Sequence, residues 1–285
     1  MKIVRIYNNN VIVSLDSDND EMIVIGKGIG FKKKTGDQVE IEKVEKIFTL
    51  KDKRIQGKLE ELVKRIPSIY LNICEKIVSM IHSSSGIELN ESIYVTLTDH
   101  ISMSLERERK GIVLENMFEF EIGEVYNEEY ALGIKAAEII KDEMGIEVSK
   151  SEISFITMHI VNANLNQNAE LTIKISKMIL KIIRIIERYT YKEIDKKSFT
   201  YMRFIRHLKF FLKRSIEKRN IREEDYFYKI VVMQFPETFN CVEEISRYVE
   251  ECTQETVTDT EKGYLMYHLM SIIKEKGNQV IDDGL

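Results

Sequence analysis

The first 55 residues have the hydrophobic pattern of short β-strands. Val- and Ile-rich stretches occur at KIVRIY, VIVSL, EMIVI and from Val39 to Leu50. Polar turns rich in Asn and Asp separate these stretches, and those residues tolerate the left-handed backbone of tight hairpins. The pattern predicts a small antiparallel sheet of four strands. Because so short a segment buries little apolar surface and leaves sheet edges open, we expect it to dimerise.

From about Leu59 the apolar period changes from two residues to 3.6, which is typical of helices. The first helix follows Pro67, which a first helical turn tolerates, and ends at Gly86. The spacing predicts further helices at about 91–109, 114–126, 130–144 and 151–165, and then, after a restart, at 172–188, 197–217, 225–234, 238–252 and 260–275. Each half then contains five helices, with a connection over 187–196.

Four histidines form two matched pairs along the chain. His207 follows His100 by 107 residues, and His268 follows His159 by 109 residues. The surrounding text repeats too, since VSKSEISFITMHI and VTDTEKGYLMYHL share the pattern of a capped helix start. In that pattern a Ser or Thr caps the helix and a Glu three residues later closes the capping box. A period near 100 residues is too long for a solenoid repeat, so it indicates a duplicated domain.

The predicted fold is therefore mainly α, with two duplicated five-helix bundle domains preceded by a small antiparallel β-sheet domain. We expect the sheet domain at 1–56, a linker at 57–66, the two bundles at 67–170 and 171–276, and a tail at 277–285.

Composition fits a protein of the cytoplasm. The chain has 285 residues, of which 44 % are apolar and 31 % charged, enough for packed cores and a solvated surface. No run approaches the roughly 20 apolar residues of a membrane span, and the N-terminus lacks a signal-peptide pattern. The three cysteines are odd in number and have no metal-like spacing, which favours a reducing compartment.

Positive charge is concentrated near the N-terminus. Residues 1–56 hold 11 Lys/Arg against nine Asp/Glu, whereas the rest of the chain holds 31 against 38. The segment Gly26 to Lys34 combines glycines, four lysines and Phe31, and it matches neither a P-loop nor a dinucleotide fingerprint. We expect Gly26 and Gly28 to leave backbone amides bare beside Lys27. Stacking on an aromatic ring beside cations is a typical way to bind looped bases. A Gly-rich hairpin with a solvated lysine tip is the alternative.

The paired histidines could serve several chemistries, and the sequence favours some of them over others. A metal site would need more than two ligands in each half, and no cysteine or regularly spaced carboxylate supplies them. Hydrolytic catalysis would need a nucleophile beside a base, and none is visible. Ordinary core histidines would not require duplicated positions. Reversible phosphorylation fits better, because imidazole is nucleophilic near neutral pH and the added phosphate brings close to two negative charges. His82 has no counterpart, and we interpret it as a surface residue.

Charged neighbours differ between the two pairs. Asp99 precedes His100 directly, where it would orient the ring or repel an added phosphate. Arg203 lies one turn before His207 and Arg206 lies beside it, so they could receive a phosphate. The sequence thus suggests opposite effects of phosphorylation in the two halves, with a solvated basic face as the alternative for the two arginines.

The motifs resemble one known family. The opening KIVRIYNNNVIV, the segment IGKGIGFKKKTGD and the text IEKVEKIFTL resemble the RNA-binding co-antiterminator (CAT) domain of LicT/BglG/SacY-type transcriptional antiterminators. TLTDH, MHIVNA and RHLKFF resemble the two PTS regulation domains (PRDs) of the same family. The likeness runs in collinear order from residue 1 to about residue 275.

The resemblance implies that a CAT homodimer binds a hairpin in a nascent leader RNA and so prevents an overlapping terminator from forming. The matching RNA-facing positions are Arg5, Asn8, Asn10, Gly26, Lys27, Gly28, Phe31 and Lys32. Two of them depart from the family pattern, since Arg is common where Lys27 stands and Gln where Lys32 stands. Arg provides a planar fork and Lys a point charge, so these departures bear on the shape of the RNA element or its affinity.

For the PRDs, the resemblance implies phosphorylation of His100, His159, His207 and His268. In the first PRD a sugar-specific enzyme II would inactivate the protein, and in the second the phosphocarrier protein HPr would activate it, with β-glucosides as the favoured sugar class. No cofactor, metal or enzymatic activity is expected. The alternatives are a PRD-containing DNA-binding activator, which would need a helix-turn-helix in place of the strands, and a phosphohistidine phosphotransferase, which would need a substrate pocket.

Overall fold

The computed structural model of the chain describes residues 1–16, 19–49, 52–112, 114–191, 193–219 and 226–275, the last range without the side chains of 226, 227, 229, 237 and 273–275. Its strands are β1 (Ile3–Asn8), β2 (Val11–Leu15), β3 (Glu21–Ile25) and β4 (Lys46–Phe48), with a 3-10 turn at Ile41–Lys43. Its helices are α1 (Lys53–Arg65), α2 (Ser68–Ser85), α3 (Ile93–Arg109), α4 (Glu119–Val125), α5 (Asn127–Met144), α6 (Lys150–Leu165), α7 (Ala169–Thr190), α8 (Phe199–Ile216), α9 (Tyr226–Gln234), α10 (Pro236–Thr253) and α11 (Asp259–Glu275).

The predicted fold class is confirmed. The four strands form one antiparallel sheet in the order β1-β2-β3-β4, and the helices follow in two sets of five, α2 to α6 and α7 to α11. The chain divides into two compact units, Met1–Ala169 and Glu170–Leu285. The sheet and the first bundle belong to the first unit, and the second bundle forms the second.

Both faces of the sheet are covered within the first unit. Strand alternation places Val11, Ile23 and Ile25 on one face, where they pack against Leu59 and Val63 of α1. The opposite face packs against buried side chains from the loop that follows β3. Dimerisation is therefore not needed to bury these faces.

Helix α1 was not expected from the sequence. Residues 57–66, predicted as a linker, lie almost entirely within it, because Ile55, Leu59 and Val63 recur every four residues and give one apolar face. The Asp52 side chain caps its start by accepting a hydrogen bond from the Arg54 amide. It ends at Ile66, which Pro67 holds in an extended conformation.

Several predicted boundaries differ from the structure. The stretch 39–50 forms a strand only at Lys46–Phe48, since Val39 turns into the opposite core and a 3-10 turn follows. Helix α4 begins at Glu119 and not at 114, because the buried Asn116 accepts a hydrogen bond from the Phe118 amide through its side chain. Helix α7 extends to Thr190, into the predicted connection. Leu50, the predicted helix start at 225 and the tail 277–285 lie outside the described residues.

The first bundle has one apolar core. Ile73 and Ile77 of α2 meet Ile101 of α3 and Ile156 and Ile160 of α6, and all five side chains are buried. In the second unit α8, α9 and α10 all pack against α11. Since α3 and α6 carry one histidine pair, and α8 and α11 carry the other, each pair sits where two packed helices meet.

Candidate functional site

A glycine-rich loop is bound to the turn between β1 and β2. The Asn10 carbonyl oxygen accepts a hydrogen bond from the Gly26 amide at 3.0 Å, and the Asn10 side-chain oxygen accepts one from the Gly28 amide at 2.9 Å. The Asn8 side chain accepts a hydrogen bond from the Asn10 amide at 2.8 Å. The prediction that Gly26 and Gly28 leave bare amides is therefore wrong, because Asn10 satisfies both of them.

The glycines are required by close backbone approach. A Cβ atom at position 26 would lie 1.7 Å from the Lys43 carbonyl oxygen, and one at position 30 would lie 2.6 Å from the Asn8 carbonyl oxygen. Gly28 has a φ of +70°, a conformation that costs glycine nothing. These residues shape the loop that carries the predicted RNA-facing side chains.

The tip of this loop presents an aromatic ring between cations. Phe31 is 54 % exposed, an unusual placement for a large apolar ring, while Ile29 is buried and anchors the loop. The Lys32 ammonium lies 5.3 Å from the centre of the Phe31 ring. Lys27, four residues before Phe31 in the chain, is exposed as well. The loop therefore offers a stacking surface flanked by positive charge.

Arg5 and Asn8 face helix α1 as well as solvent. The Arg5 guanidinium donates to Glu21 and lies 3.6 Å from Glu60 of α1, and Asn8 donates to the Val63 carbonyl oxygen at 3.0 Å. Between them the Tyr7 hydroxyl donates to Glu60. Burial, followed by this carboxylate, raises the pKa of Tyr7 above its ordinary value. The predicted RNA-facing edge of β1 is thus bonded to the first helix after the sheet.

In the first bundle His100 and His159 lie side by side. Their ring centroids are 4.9 Å apart, and the His100 Nε2 atom is 2.9 Å from a Glu152 carboxylate oxygen. The other carboxylate oxygen accepts a hydrogen bond of 2.9 Å from Arg107. The His100 and Glu152 side chains are 14 % and 13 % exposed. A mostly buried His–Glu–Arg chain therefore joins α3 to α6.

The second bundle repeats the arrangement with one difference. The ring centroids of His207 and His268 are 4.8 Å apart, and Arg214 donates two hydrogen bonds to one oxygen of the fully buried Glu261, at 2.7 and 3.2 Å. The other Glu261 oxygen and the His207 Nε2 atom are buried and have no hydrogen-bond partner among the described residues. The contact between histidine and carboxylate seen in the first bundle is absent from the described part of the second.

Burial keeps three of the four imidazoles neutral, those of His159, His207 and His268. Desolvation, with a further contribution from His100, lowers the pKa of His159 to about 3. Desolvation, followed by His268 and Arg214, lowers the pKa of His207 to about 4. Burial and the positive charge of Arg203 also lower the pKa of His268. Burial alone would raise the pKa of Glu152, but the hydrogen bonds from His100 and Arg107 outweigh it and hold that pKa below its ordinary value.

The two arginines and two glutamates of these sites were not predicted as site residues. Each arginine follows its histidine by seven residues, at His100/Arg107 and His207/Arg214, and Glu152 and Glu261 precede theirs by seven. Seven residues are two helical turns, so each pair shares a helix face, and this repeated spacing is the signal that could have identified them. Ser149 and Thr258 accept from the amides of Glu152 and Glu261, but the glutamate side chains reach the arginines. The expected closing of the capping box by these glutamates is wrong.

The structure also places the other residues that the sequence singled out. Asp99 is half-buried on α3, while the carboxylate hydrogen-bonded to the His100 ring is that of Glu152. Arg203 and Arg206 are exposed on α8. His82 is exposed at the end of α2, as predicted for a surface residue.

Across the described ranges, no group of three or more His, Cys, Asp or Glu side chains is arranged to hold a metal ion. No helix among the described residues has both the length and the apolar character that crossing a membrane requires.

Comparison with known proteins identifies both kinds of domain. Residues 1–57 match the CAT RNA binding domain, and residues 75–163 and 180–272 match the PRD domain twice. Transcription antiterminator LicT of Bacillus subtilis (strain 168) is 34 % identical to this chain over 96 % of the chain and 100 % of LicT. The chain belongs to the LicT/BglG/SacY family of transcription antiterminators.

Two further proteins are similar to this chain. The Beta-glucoside operon antiterminator of Dickeya chrysanthemi is 31 % identical over 99 % of this chain and 100 % of its own length. The crystal structure of GlcT CAT-PRDI shares 30 % sequence identity and covers 57 % of this chain and 97 % of its own, with a TM-score of 0.49. The loop from Gly26 to Lys34 thus belongs to the CAT domain, and each histidine pair belongs to one PRD.

The bonds of Asn10 generate a first prediction. Asn10→Ala removes the oxygen that accepts from the partly buried Gly28 amide, at an expected cost of about 0.5–1.5 kcal/mol for the lost hydrogen bond. Hydrogen–deuterium exchange of residues 26–31 should therefore become faster. Asn10→Asp keeps an acceptor oxygen and should preserve slow exchange. Equal exchange in the alanine variant and the unmodified protein would contradict the role given to Asn10.

The depressed histidine pKa values generate a second prediction. In the unfolded chain His159 and His207 titrate near the ordinary histidine pKa of about 6.5. In the folded chain burial lowers the pKa of His159 to about 3 and that of His207 to about 4. As the pH falls below about 6.5 the unfolded chain binds more protons, so stability present at neutral pH is lost. His159→Gln and His207→Gln should each reduce this loss, by at most about 1.4 kcal/mol per pH unit.

Urea unfolding of the full chain at pH 7.5 and 5.5 measures the effect above the range in which ordinary carboxylates titrate. The difference in unfolding free energy between the two pH values should be smaller in each variant than in the unmodified protein. An unchanged difference in both variants would show that these imidazoles are not held neutral by folding.

Proposed function

We propose that the chain is a cytoplasmic antiterminator whose CAT domain binds a hairpin in a nascent leader RNA as a homodimer and prevents terminator formation. Residues 1–56 bind the RNA, 57–66 connect, 67–170 and 171–276 form the two PRDs, and 277–285 are a tail. The observation that carries the proposal is the combination, in one chain, of a CAT domain with two PRDs that contain duplicated histidine pairs.

The RNA contact rests on the surface of the loop. Exposed Lys27, Phe31 and Lys32 provide cations for phosphates and a ring for stacking on unpaired bases. Arg5 engages RNA by exchanging Glu21 for phosphate. Asn8, Asn10, Gly26 and Gly28 act chiefly by shaping the surface, as their backbone and side-chain bonds favour. The match of residues 1–57 to an RNA-binding domain disfavours the DNA-binding alternative.

Control rests on phosphorylation of the histidine pairs. A sugar-specific enzyme II phosphorylates the first PRD at His100 or His159 when its sugar is absent, which inactivates the protein. The phosphocarrier HPr phosphorylates the second PRD at His207 or His268, which activates it. The name of the Dickeya relative supports a β-glucoside as the sugar. Each pair is partly buried beside an Arg–Glu ion pair, so an added dianion must alter that ion pair.

A third prediction tests the RNA surface. In a binding assay with the full chain and the leader transcript of the neighbouring operon, Phe31→Ala should lose about 1–3 kcal/mol of stacking per base, or roughly 5- to 150-fold in affinity. Lys27→Ala should weaken binding. The slope of log affinity against log salt concentration should fall by about 1, as expected for the loss of one phosphate contact. Lys34→Ala is the matched control, because Lys34 is an exposed lysine of the same loop outside the proposed surface.

Two outcomes would count against this surface. One is equal loss in the Lys34 and Lys27 variants, which would indicate general electrostatic attraction. The other is equal binding of the leader hairpin and a scrambled hairpin of the same composition.

A fourth prediction tests control by the first PRD. His100→Ala removes one phosphate acceptor, so a terminator-readthrough reporter should be active without the inducing sugar. His82→Ala removes an exposed histidine outside both pairs and should leave the response to sugar intact. Normal dependence on the inducer in the His100 variant would contradict negative control at this position.

His207→Ala and His268→Ala should have the opposite effect and weaken readthrough when HPr is available for phosphorylation. Their activity should also no longer respond to loss of HPr. Readthrough equal to that of the unmodified protein in both variants would contradict activation through the second PRD.

A further inference from the structure

The contact between His100 and Glu152 assigns different roles to the two ring nitrogens. Glu152 is ionised at neutral pH, because its two hydrogen bonds hold its pKa below the ordinary value, and an ionised carboxylate only accepts hydrogen bonds. Only the neutral form of an imidazole can attack phosphorus, and 2.9 Å from this carboxylate that form carries its proton on Nε2. The lone pair that can attack phosphorus is then on Nδ1.

Access to the ring supports the same assignment. Nδ1 of His100 makes no hydrogen bond to the described residues, and the His100 side chain is 14 % exposed, so part of the ring reaches solvent. Nε2 instead points at a carboxylate that is 13 % exposed. A phosphoryl donor would meet negative charge at Nε2 and an open lone pair at Nδ1.

Glu152 is itself held in place from two sides. Arg107 donates to the carboxylate oxygen that does not face His100, and the Glu152 backbone amide donates to Ser149 at the start of α6. A carboxylate bonded in this way fixes the orientation and tautomer of the imidazole, as carboxylates do for histidines that bind metals.

We propose that Nδ1 of His100 is the atom that accepts the phosphoryl group, and that Glu152 is the positioning residue that selects it. This rests on the proposed phosphorylation of the first PRD. The Nδ1 lone pair attacks the phosphorus of a donor protein's phosphohistidine and forms a new N–P bond. The donor's N–P bond breaks and its electron pair returns to the donor's imidazole. The His100 ring keeps the proton on Nε2, and the Glu152 carboxylate stabilises the positive charge of the ring.

The second PRD provides an internal comparison. Glu261 occupies the position of Glu152, but both hydrogen bonds from Arg214 go to one oxygen, and the other oxygen and His207 Nε2 are buried without a partner in the described chain. No carboxylate contact selects a nitrogen of His207 there. The selection of Nδ1 is therefore specific to the first PRD.

The test uses the full chain labelled with 15N at its five histidines. Long-range proton–nitrogen spectra identify the tautomer before modification, and coupling to phosphorus identifies the nitrogen that carries phosphate after treatment with phosphoenolpyruvate, enzyme I, HPr and the sugar-specific enzyme II. The variant His100→Gln assigns the signals. Expected in the unmodified sequence are a His100 protonated on Nε2 and a phosphate on Nδ1.

Glu152→Gln tests the positioning role while keeping the shape of the side chain. The His100 tautomers should become mixed, Nε2-phosphate should appear, and phosphoryl transfer should slow by about tenfold, as for other groups that orient a reactive ligand. Glu106→Gln is the matched control and should leave all His100 signals and rates unchanged, since Glu106 is an exposed glutamate of α3 that pairs with Lys110.

The outcomes separate this inference from the proposed function. Phosphate on Nε2 of His100 in the unmodified sequence, or an unchanged tautomer and unchanged nitrogen in Glu152→Gln, overturns the inference and leaves control by phosphorylation standing. No phosphate on His100 or His159 under any of these conditions overturns both. A protonated Nδ1 in the unphosphorylated chain overturns the inference by itself.

Discussion

An ion pair between arginine and glutamate, placed beside two imidazoles, is the interaction on which each PRD depends. A buried carboxylate is costly without hydrogen-bond donors, and Arg107 and Arg214 each donate to one of the two carboxylate oxygens. His159, His207 and His268 stay neutral because burial lowers their pKa values. Under the proposed phosphorylation, an added phosphate competes with the carboxylate for the arginine. We therefore expect it to change how the helices that carry these groups pack.

The CAT domain depends on a different constraint, the fit of a glycine loop against an asparagine turn. Gly26 and Gly30 bring the loop into contact with neighbouring backbone. Asn10 accepts hydrogen bonds from the amides of Gly26 and Gly28. This frees Phe31 and Lys32 to face solvent. On the other side Glu60 of α1 reaches Arg5 and Tyr7. Movement of α1 would therefore change the charge around Arg5, which gives the first unit a direct physical path between helix and sheet.

Much of this organisation could be predicted from the sequence, because it follows from period and repetition. Alternating residues such as Val11, Ile23 and Ile25 gave the sheet, and the shared offset of the four histidines gave two bundles with a pair in each. Helix α1 was missed because its apolar face is short and packs on the sheet, and the sequence does not show which surface it packs against. The seven-residue spacing of Glu152 from His159 could have marked it as a site residue, but the sequence does not show whether its side chain turns to His100 and Arg107 or back to the helix start.

The sequence also did not predict the structural difference between the two PRDs. His100 and His207 have equivalent neighbours seven residues away, yet only His100 contacts its carboxylate within the described ranges. The sequence placed the asymmetry in Asp99 and Arg203, which are the nearest charges along the chain. In the structure the two PRDs differ in the geometry of a repeated spacing, because the second carboxylate oxygen bonds to histidine in the first PRD and has no partner among the described residues in the second.

We propose that charge on the paired, buried imidazoles controls how protomers associate and whether the CAT surface binds RNA. The most direct test uses one preparation of the full chain before and after phosphorylation of the first PRD. Its molar mass in solution and its affinity for the leader hairpin are measured in both states. We expect phosphorylation to change association and to reduce hairpin affinity together. Identical mass and identical affinity in fully unmodified and fully modified protein would contradict it.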